Sequence, residues 1–184
     1  MDRRVRVAAL AAALLAFSVS GCRSTATPPA PTASPAPTSV KDADPCSFLE
    51  QSVVSANVLE RASADTSTTS RSCTWTSETF TTMVLARWDP RALVDFTQAF
   101  PVLVDSEVVL GGHRAVFGKS DVRPACAAVL FAEQGTVVEI VVGDKPPSTA
   151  DAACERVKTI GGAVVAHLRD QDLLDDRPAP STTS

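Results

Sequence analysis

The sequence has few aromatic residues: it contains no tyrosine, and aromatic residues make up only 5% of its 184 positions. A hydrophobic core must therefore be built from Val, Leu and Ala with a few Phe residues, which is feasible because 45% of the chain is hydrophobic. Positive charge is also scarce, since 17 Lys and Arg residues stand against 21 Asp and Glu residues. This balance argues against nucleic-acid binding and against a polybasic membrane-binding face.

Recognisable catalytic motifs are missing as well. The sequence contains no G-x-S-x-G or H-E-x-x-H pattern and no glycine-rich phosphate loop with its lysine. Its two histidines are His113, beside a Gly-Gly turn, and His167, near the end of a helical segment, and neither has an obvious partner in the sequence. We therefore predict no catalytic residues and no cofactor, and we interpret His113 as an exposed loop histidine and His167 as a helix-boundary histidine.

The N-terminal segment has the features of a bacterial lipoprotein signal peptide. Three arginines within residues 2–6 precede a small, apolar run at 7–19, which is shorter than the ~20 residues of a membrane-spanning helix. The run ends in "VSGC", which resembles the lipobox, whose cysteine receives diacylglycerol before cleavage. We predict that residues 1–21 are removed and that Cys22 anchors the chain at the extracytoplasmic face of the cell membrane. The alternative is an ordinary secretory signal, but no A-x-A site follows the run.

A linker follows the predicted lipid site. Residues 22–40 consist almost entirely of Ser, Thr, Ala and Pro, a composition that cannot bury a core and that favours polyproline II at ~3.1 Å per residue. We predict that this segment is a stalk. The stretch 41–174 then fits one domain of roughly 100–150 residues, and the polar, proline-containing tail at 175–184 is predicted to be disordered.

The predicted domain contains four cysteines, Cys46, Cys73, Cys126 and Cys154. In a chain placed outside the cytoplasm, an even set of cysteines predicts two disulfides. A zinc site is the competing use, but its ligands come in close pairs such as C-x-x-C, so we predict no metal. Four cysteines allow three pairings, and the sequence alone cannot choose among them. We choose Cys46 with Cys73 and Cys126 with Cys154, because each pair joins a helix start to a strand that could lie beside it.

Hydrophobic periodicity and turn residues predict helices and strands in mixed order. Asp44-Pro45 and Asp89-Pro90 each have the pattern of a helix cap followed by a first-turn proline, and Ser148 is predicted to cap the last helix. The polar run at 57–72 predicts a mobile loop. The predicted helices lie at 45–55, 90–100 and 149–168, and the predicted strands at 73–77, 82–88, 102–110, 113–117, 126–132 and 136–142.

This order predicts an α+β domain with a mostly antiparallel sheet, packed by a long C-terminal helix and shorter helices. The last strand is apolar on both faces, which favours a central position in the sheet. Gly161 and Gly162 lie inside the long helix, where glycine is costly, so we expect close packing of that helix on the sheet. Trp75 and Trp88 are predicted to pack in the core or at its edge rather than to stack on a ligand.

Several sequence contexts resemble one protein family. They are "DADPCSFLEQ" at the first domain cysteine, "SCTWT" at the second, "LGGHRAVF" ahead of the third, and the helix start at Cys154. In this order behind a lipobox, they resemble the DUF3558 family of actinobacterial lipoproteins over about residues 41–170. The resemblance implies a lipid-anchored extracytoplasmic domain with disulfides, and it implies no established biochemical role.

Together these features predict a non-enzymatic binding or interaction module of the cell envelope. Its partners would be the membrane, through the lipid, and either another envelope protein or an apolar ligand held between sheet and helix. The alternatives are an envelope hydrolase that uses His113 and a purely structural role. A C-terminal acidic run lacks the D-x-D-x-D-G calcium pattern and is interpreted as a solvated end. Its members are Asp170, Asp172, Asp175 and Asp176.

Overall fold

The computed structural model describes residues 37–133 and 135–174. In this part of the chain, seven strands and three α-helices follow a short 3₁₀ turn at Pro45–Ser47. The helices are α1 (Gln51–Ala56), α2 (Ala92–Ala99) and α3 (Ala150–Asp170). The strands are β1 (Glu60–Thr66), β2 (Ser70–Thr76), β3 (Phe80–Arg87), β4 (Val102–Leu110), β5 (His113–Lys119), β6 (Ala125–Phe131) and β7 (Val137–Asp144).

The strands form one sheet in the order β1-β2-β3-β7-β6-β5-β4, and every neighbouring pair is antiparallel. The last strand, β7, therefore lies in the middle, as its continuous apolar sequence predicted. The two edge strands are both irregular. The pairing of β1 shifts between Arg61 and Ser63, and the pairing of β4 shifts between Val104 and Val108.

Helix α3 covers one face of the sheet and lies against β6 and β7. Its inward face contains the side chains that the helical spacing predicted: Cys154, Val157, Ile160, Val164 and Leu168 are all buried. The expected close approach occurs at Gly161, where a Cβ would lie 2.8 Å from Leu110 Cδ1. The fold class is thus the predicted one, an α+β domain with an antiparallel sheet and a long C-terminal helix.

Helix α2 packs on the opposite face of the sheet. Phe96 and Phe100 are buried there with the small β6 residue Ala127 and with Val129. The approach is close, because a Cβ on Gly118 of β5 would lie 2.6 Å from Phe100 Cβ. This helix has only eight residues, and its apolar contacts are with β5, β6 and β7. Among the described residues, no side chain of β2 or β3 belongs to this apolar cluster beneath α2.

Two disulfides fasten peripheral segments to the sheet. Cys46 of the 3₁₀ turn is bonded to Cys73 of β2, and Cys126 of β6 is bonded to Cys154 of α3. The pairing is the predicted one. The two bridges close loops of similar length, with sequence separations of 27 and 28 residues. In the chain-entropy description such loops contribute roughly 3–4 kcal/mol each.

Two local predictions are wrong in detail. The helix predicted at 45–55 is divided into the 3₁₀ turn and α1, because the consecutive residues Phe48 and Leu49 are both buried and Glu50 is extended. The last helix is capped by Thr149, whose hydroxyl accepts a hydrogen bond from the Ala152 amide. Ser148 instead donates its hydroxyl to Asp144.

The loop predicted at 57–72 is also wrong, since most of it belongs to strands. It contains β1 and the start of β2, joined by a turn in which Ser67 and Ser70 exchange hydrogen bonds. Backbone pairing holds β1 at the edge of the sheet while the side chains described there stay exposed. No apolar alternation marks such a strand, so the sequence pattern reads as a loop.

Candidate functional site: the β2–β3 face beside α2

The candidate site lies on the same face of the sheet as α2. It is the part of that face formed by β2 and β3, which α2 does not cover. Alternate residues of these strands, such as Cys73 and Val84, point into the core on the α3 side. The residues between them form what we call the β2–β3 face, and all of them are half-buried. Its members are Ser72, Thr74, Thr76, Thr81, Met83 and Leu85.

Strand register fixes the layout of the β2–β3 face. Thr74 lies opposite Met83, and Met83 lies opposite Val141 of the central strand. Thr81 lies opposite Gly143, and a Cβ added to this glycine would have no atom within 4 Å. The face therefore has hydroxyls along β2, two apolar side chains along β3 and open room over Gly143. Such a surface offers hydrogen bonds and modest apolar contact at the same time.

Arg87, the last residue of β3, organises the border of this face beside α2. Its Nε donates to Asp89 at 2.9 Å, its Nη2 to Asp95 of α2 at 2.7 Å, and its Nη1 to Glu139 of β7 at 3.3 Å. One guanidinium thus joins three carboxylates from three segments of the chain. Arg91 lies 3.7 Å from Asp95 and is largely exposed. We call these five residues the Arg87 cluster.

The carboxylates of the Arg87 cluster differ in how they bind protons. Glu139 is only 5% exposed, and burial raises its pKa to about 6, because the attraction of Arg87 only partly offsets the loss of hydration. Asp89 behaves in the opposite way. Burial would raise its pKa, but hydrogen bonds from Arg87 and from the Arg91 amide outweigh burial and hold the pKa below its usual value. The pKa values of Glu139 and Asp89 are thus shifted in opposite directions within one cluster.

The opposite border of the face is provided by β1. Glu60 lies opposite Thr76 and Asp65 lies opposite Ser72, and both acidic side chains are exposed. With the Arg87 cluster on the other side, five carboxylates and two guanidiniums flank the face. The charge around it is therefore negative when all of these groups are ionised.

The two histidines lie apart from this face. His113 Nε2 donates to the Phe131 carbonyl oxygen at 2.8 Å, which fastens β5 to β6. The His167 ring lies 6.4 Å from the ring of Phe48, on the side of the sheet that α3 covers. His113 is therefore half-buried in a strand rather than exposed in a loop, whereas His167 lies in the last turn of α3, at the predicted helix boundary.

The tryptophans also have packing positions. Trp75 is 3% exposed in the core, and Trp88 is half-buried at the end of β3, where its Nε1 donates to the Thr68 carbonyl. In the acidic run, Asp170 and Asp172 lie at the end of α3, whereas Asp175 and Asp176 are outside the described residues.

The predicted signal peptide, Cys22, most of the stalk and the tail at 175–184 likewise lie outside the described residues. Among the residues that are described, no helix is both long and apolar enough to cross a membrane. Within 37–133 and 135–174, no three His, Cys, Asp or Glu side chains are grouped so that they could hold a metal ion.

Sequence reasoning missed the Arg87 cluster, although one signal for it was present. Glu139 is the only charged residue among the apolar residues of 137–142, and a lone charge in a central strand needs a partner. The partner could not be identified from sequence, because Arg87 is 52 positions away and the β3–β7 pairing brings the two together. The prediction that Asp89 caps this helix is wrong: α2 begins at Ala92 with Arg91 in the cap position, and the Asp89 carboxylate accepts from the Arg91 amide in the turn before it.

Comparison with known proteins gives one informative match. No curated protein and no solved structure matches the chain significantly. A family model described as a protein of unknown function, DUF3558, matches residues 17–167, which is most of the sequence. This chain therefore belongs to the DUF3558 family.

Proposed function

We propose that the protein is a non-enzymatic binding module, anchored by a lipid at the outer face of the cell membrane, and that the β2–β3 face is its binding surface. The observation that carries the proposal is the uncovered face itself. In the part of the chain that the structure describes, no residue of β2 or β3 belongs to the apolar cluster beneath α2, and this face combines hydroxyls with the apolar side chains of Met83 and Leu85.

The location is supported by the sequence and by the disulfides. The apolar run ending in "VSGC" has the order that lipidation at Cys22 needs. Both Cys46–Cys73 and Cys126–Cys154 join segments across the domain, and such structural bridges persist mainly in oxidising compartments. A small domain that is cross-linked by two disulfides suits an exposed position at the membrane surface.

An envelope protein suits this surface better than an apolar small molecule does. Small ligands are usually held in concave sites that bury most of their area. The β2–β3 face is part of an open sheet surface, and its hydroxyl-bearing residues outnumber its two large apolar residues. A protein partner can cover such a face and make many weak polar contacts at once.

The first test is membrane attachment in the native host. The unaltered chain should enter the detergent-rich phase and carry a diacylglycerol on Cys22 by mass spectrometry, whereas a Cys22→Ser variant should enter the aqueous phase. Recovery of both proteins in the aqueous phase would contradict the anchor.

The second test places a photo-reactive amino acid at Thr74, in the β2–β3 face, and at Glu155 on the exposed side of α3 as a matched control. A specific envelope protein should cross-link from position 74 and not from position 155. Equal labelling from both positions, or none from position 74, would contradict this choice of surface.

A further inference from the structure

The borders of the β2–β3 face limit the chemistry of its partner. Glu60 and Asp65 of β1 lie along one side, and the carboxylates of the Arg87 cluster lie along the other. Asp95 keeps 39% of its side chain exposed, so part of this negative border is open to solvent. At one end, Lys145 donates to the Ser77 carbonyl at 2.7 Å and adds one positive charge.

We infer that the partner of this face is a polypeptide segment bearing lysine or arginine, which lies over β2 and β3 between β1 and α2. The inference rests on the proposed binding function and names the chemistry of its partner. Charge complementarity selects the cationic side chains, because a partner with acidic residues at these borders would be repelled. It also argues against anionic partners such as nucleic acids and acidic lipid headgroups.

The dimensions of the face fit one polypeptide segment. From β1 to the central strand β7 there are three strand intervals, or roughly 14 Å at ~4.8 Å each. An extended chain or a single helix about 10 Å across fits within that width. Met83 and Leu85 lie along the middle, where they can contact the apolar part of a lysine or arginine side chain. The hydroxyls of Ser72 and Thr74 can exchange hydrogen bonds with a partner's backbone.

The chain offers a direct reporter for the test. Met83 lies in the middle of the face, and Met1 is the only other methionine in the sequence. The full chain, labelled with ¹³C at the methionine methyl groups, gives a Met83 signal that a Met83→Leu variant assigns. The probes are an oligolysine peptide and an oligoglutamate peptide of equal length.

We expect oligolysine to shift the Met83 signal saturably, and oligoglutamate to leave it unchanged. Substituting Glu60→Gln or Asp65→Asn should weaken oligolysine binding about two- to fivefold each, and added salt should weaken it further. The matched control is Glu155→Gln, whose carboxylate is 72% exposed on α3 and far from β1 in the fold. It should leave the affinity unchanged.

The inference would be overturned by a Met83 signal that oligolysine does not move, or by equal weakening by the β1 variants and by Glu155→Gln. A protein cross-linked from position 74 through a segment without lysine or arginine would also overturn it, while the binding function would stand. Conversely, saturable oligolysine binding with no cross-linked protein in the host would count against the binding function and support the cationic preference of the face.

Discussion

Glu139 makes the stability of this domain depend on pH in a direction opposite to that of most carboxylates. Its pKa rises from 4.5, the ordinary value, to about 6 in the folded protein. A carboxyl group whose pKa is raised in the folded state binds its proton more tightly there than in the unfolded chain. This contribution to the free energy of unfolding is fully present below pH 4.5 and is lost as the pH rises through about 6. At 1.36 kcal/mol per pKa unit, the loss above that pH is about 2 kcal/mol.

The substitution Glu139→Gln isolates this effect. Glutamine keeps an oxygen that accepts from Arg87 but cannot ionise, and Arg87 remains neutralised by Asp89 and Asp95. We expect the variant to match the unaltered protein in its free energy of unfolding near pH 4, and to exceed it by about 2 kcal/mol near pH 7.5.

The assay is urea unfolding of the oxidised protein, followed by tryptophan fluorescence at both pH values. The matched control is Glu155→Gln, because Glu155 is exposed on α3 and paired only with Lys158. A difference between Glu139→Gln and the unaltered protein that does not change with pH would refute the reasoning. So would a loss of stability in the variant near pH 7.5.

Three further predictions concern packing, charge and disulfides. Gly162→Ala, with open space around it, should stabilise α3 by up to about 1 kcal/mol, whereas Gly161→Ala should be less stable than Gly162→Ala, because its Cβ would require the buried Leu110 side chain to shift; thermal unfolding of both variants checks this. Arg87→Met should lower the free energy of unfolding by about 3 kcal/mol at pH 7.5 and by less near pH 4, where Glu139 is protonated. An equal decrease at both pH values in urea unfolding would contradict the ion-pair account. Non-reducing peptide mapping should recover a Cys126–Cys154 peptide and none that joins Cys126 to another cysteine.

The sequence predicted most of the fold because its signals are local. The apolar run of β7 predicted a central strand, and the spacing of Val157, Ile160 and Val164 predicted the inward face of α3. Strand β1 was missed because its only strong structural signal is backbone pairing with β2, which leaves no trace in side-chain pattern. A strand held by hydrogen bonds alone is invisible to periodicity.

The candidate site was harder to predict, because it depends on which strands the helices leave uncovered. Nothing in the sequence of α2 indicates that this helix sits over β5 to β7 and leaves β2 and β3 open. The Arg87 cluster likewise depends on a pairing between strands that are distant in sequence. Such sites depend on the order of the strands in the sheet, and a single sequence indicates that order less well than it indicates individual helices and strands.

The irregular edge strands have a consequence if Cys22 carries the proposed lipid and confines the protein to a membrane surface. Straight edge strands can add to one another and build a continuous sheet from molecule to molecule, and this risk grows with local concentration. Both ends of this sheet carry a shift in pairing, at 61–63 in β1 and at 104–108 in β4, which disrupts the regular row of backbone groups that a neighbour would need. Many copies could therefore crowd side by side in two dimensions and remain separate molecules.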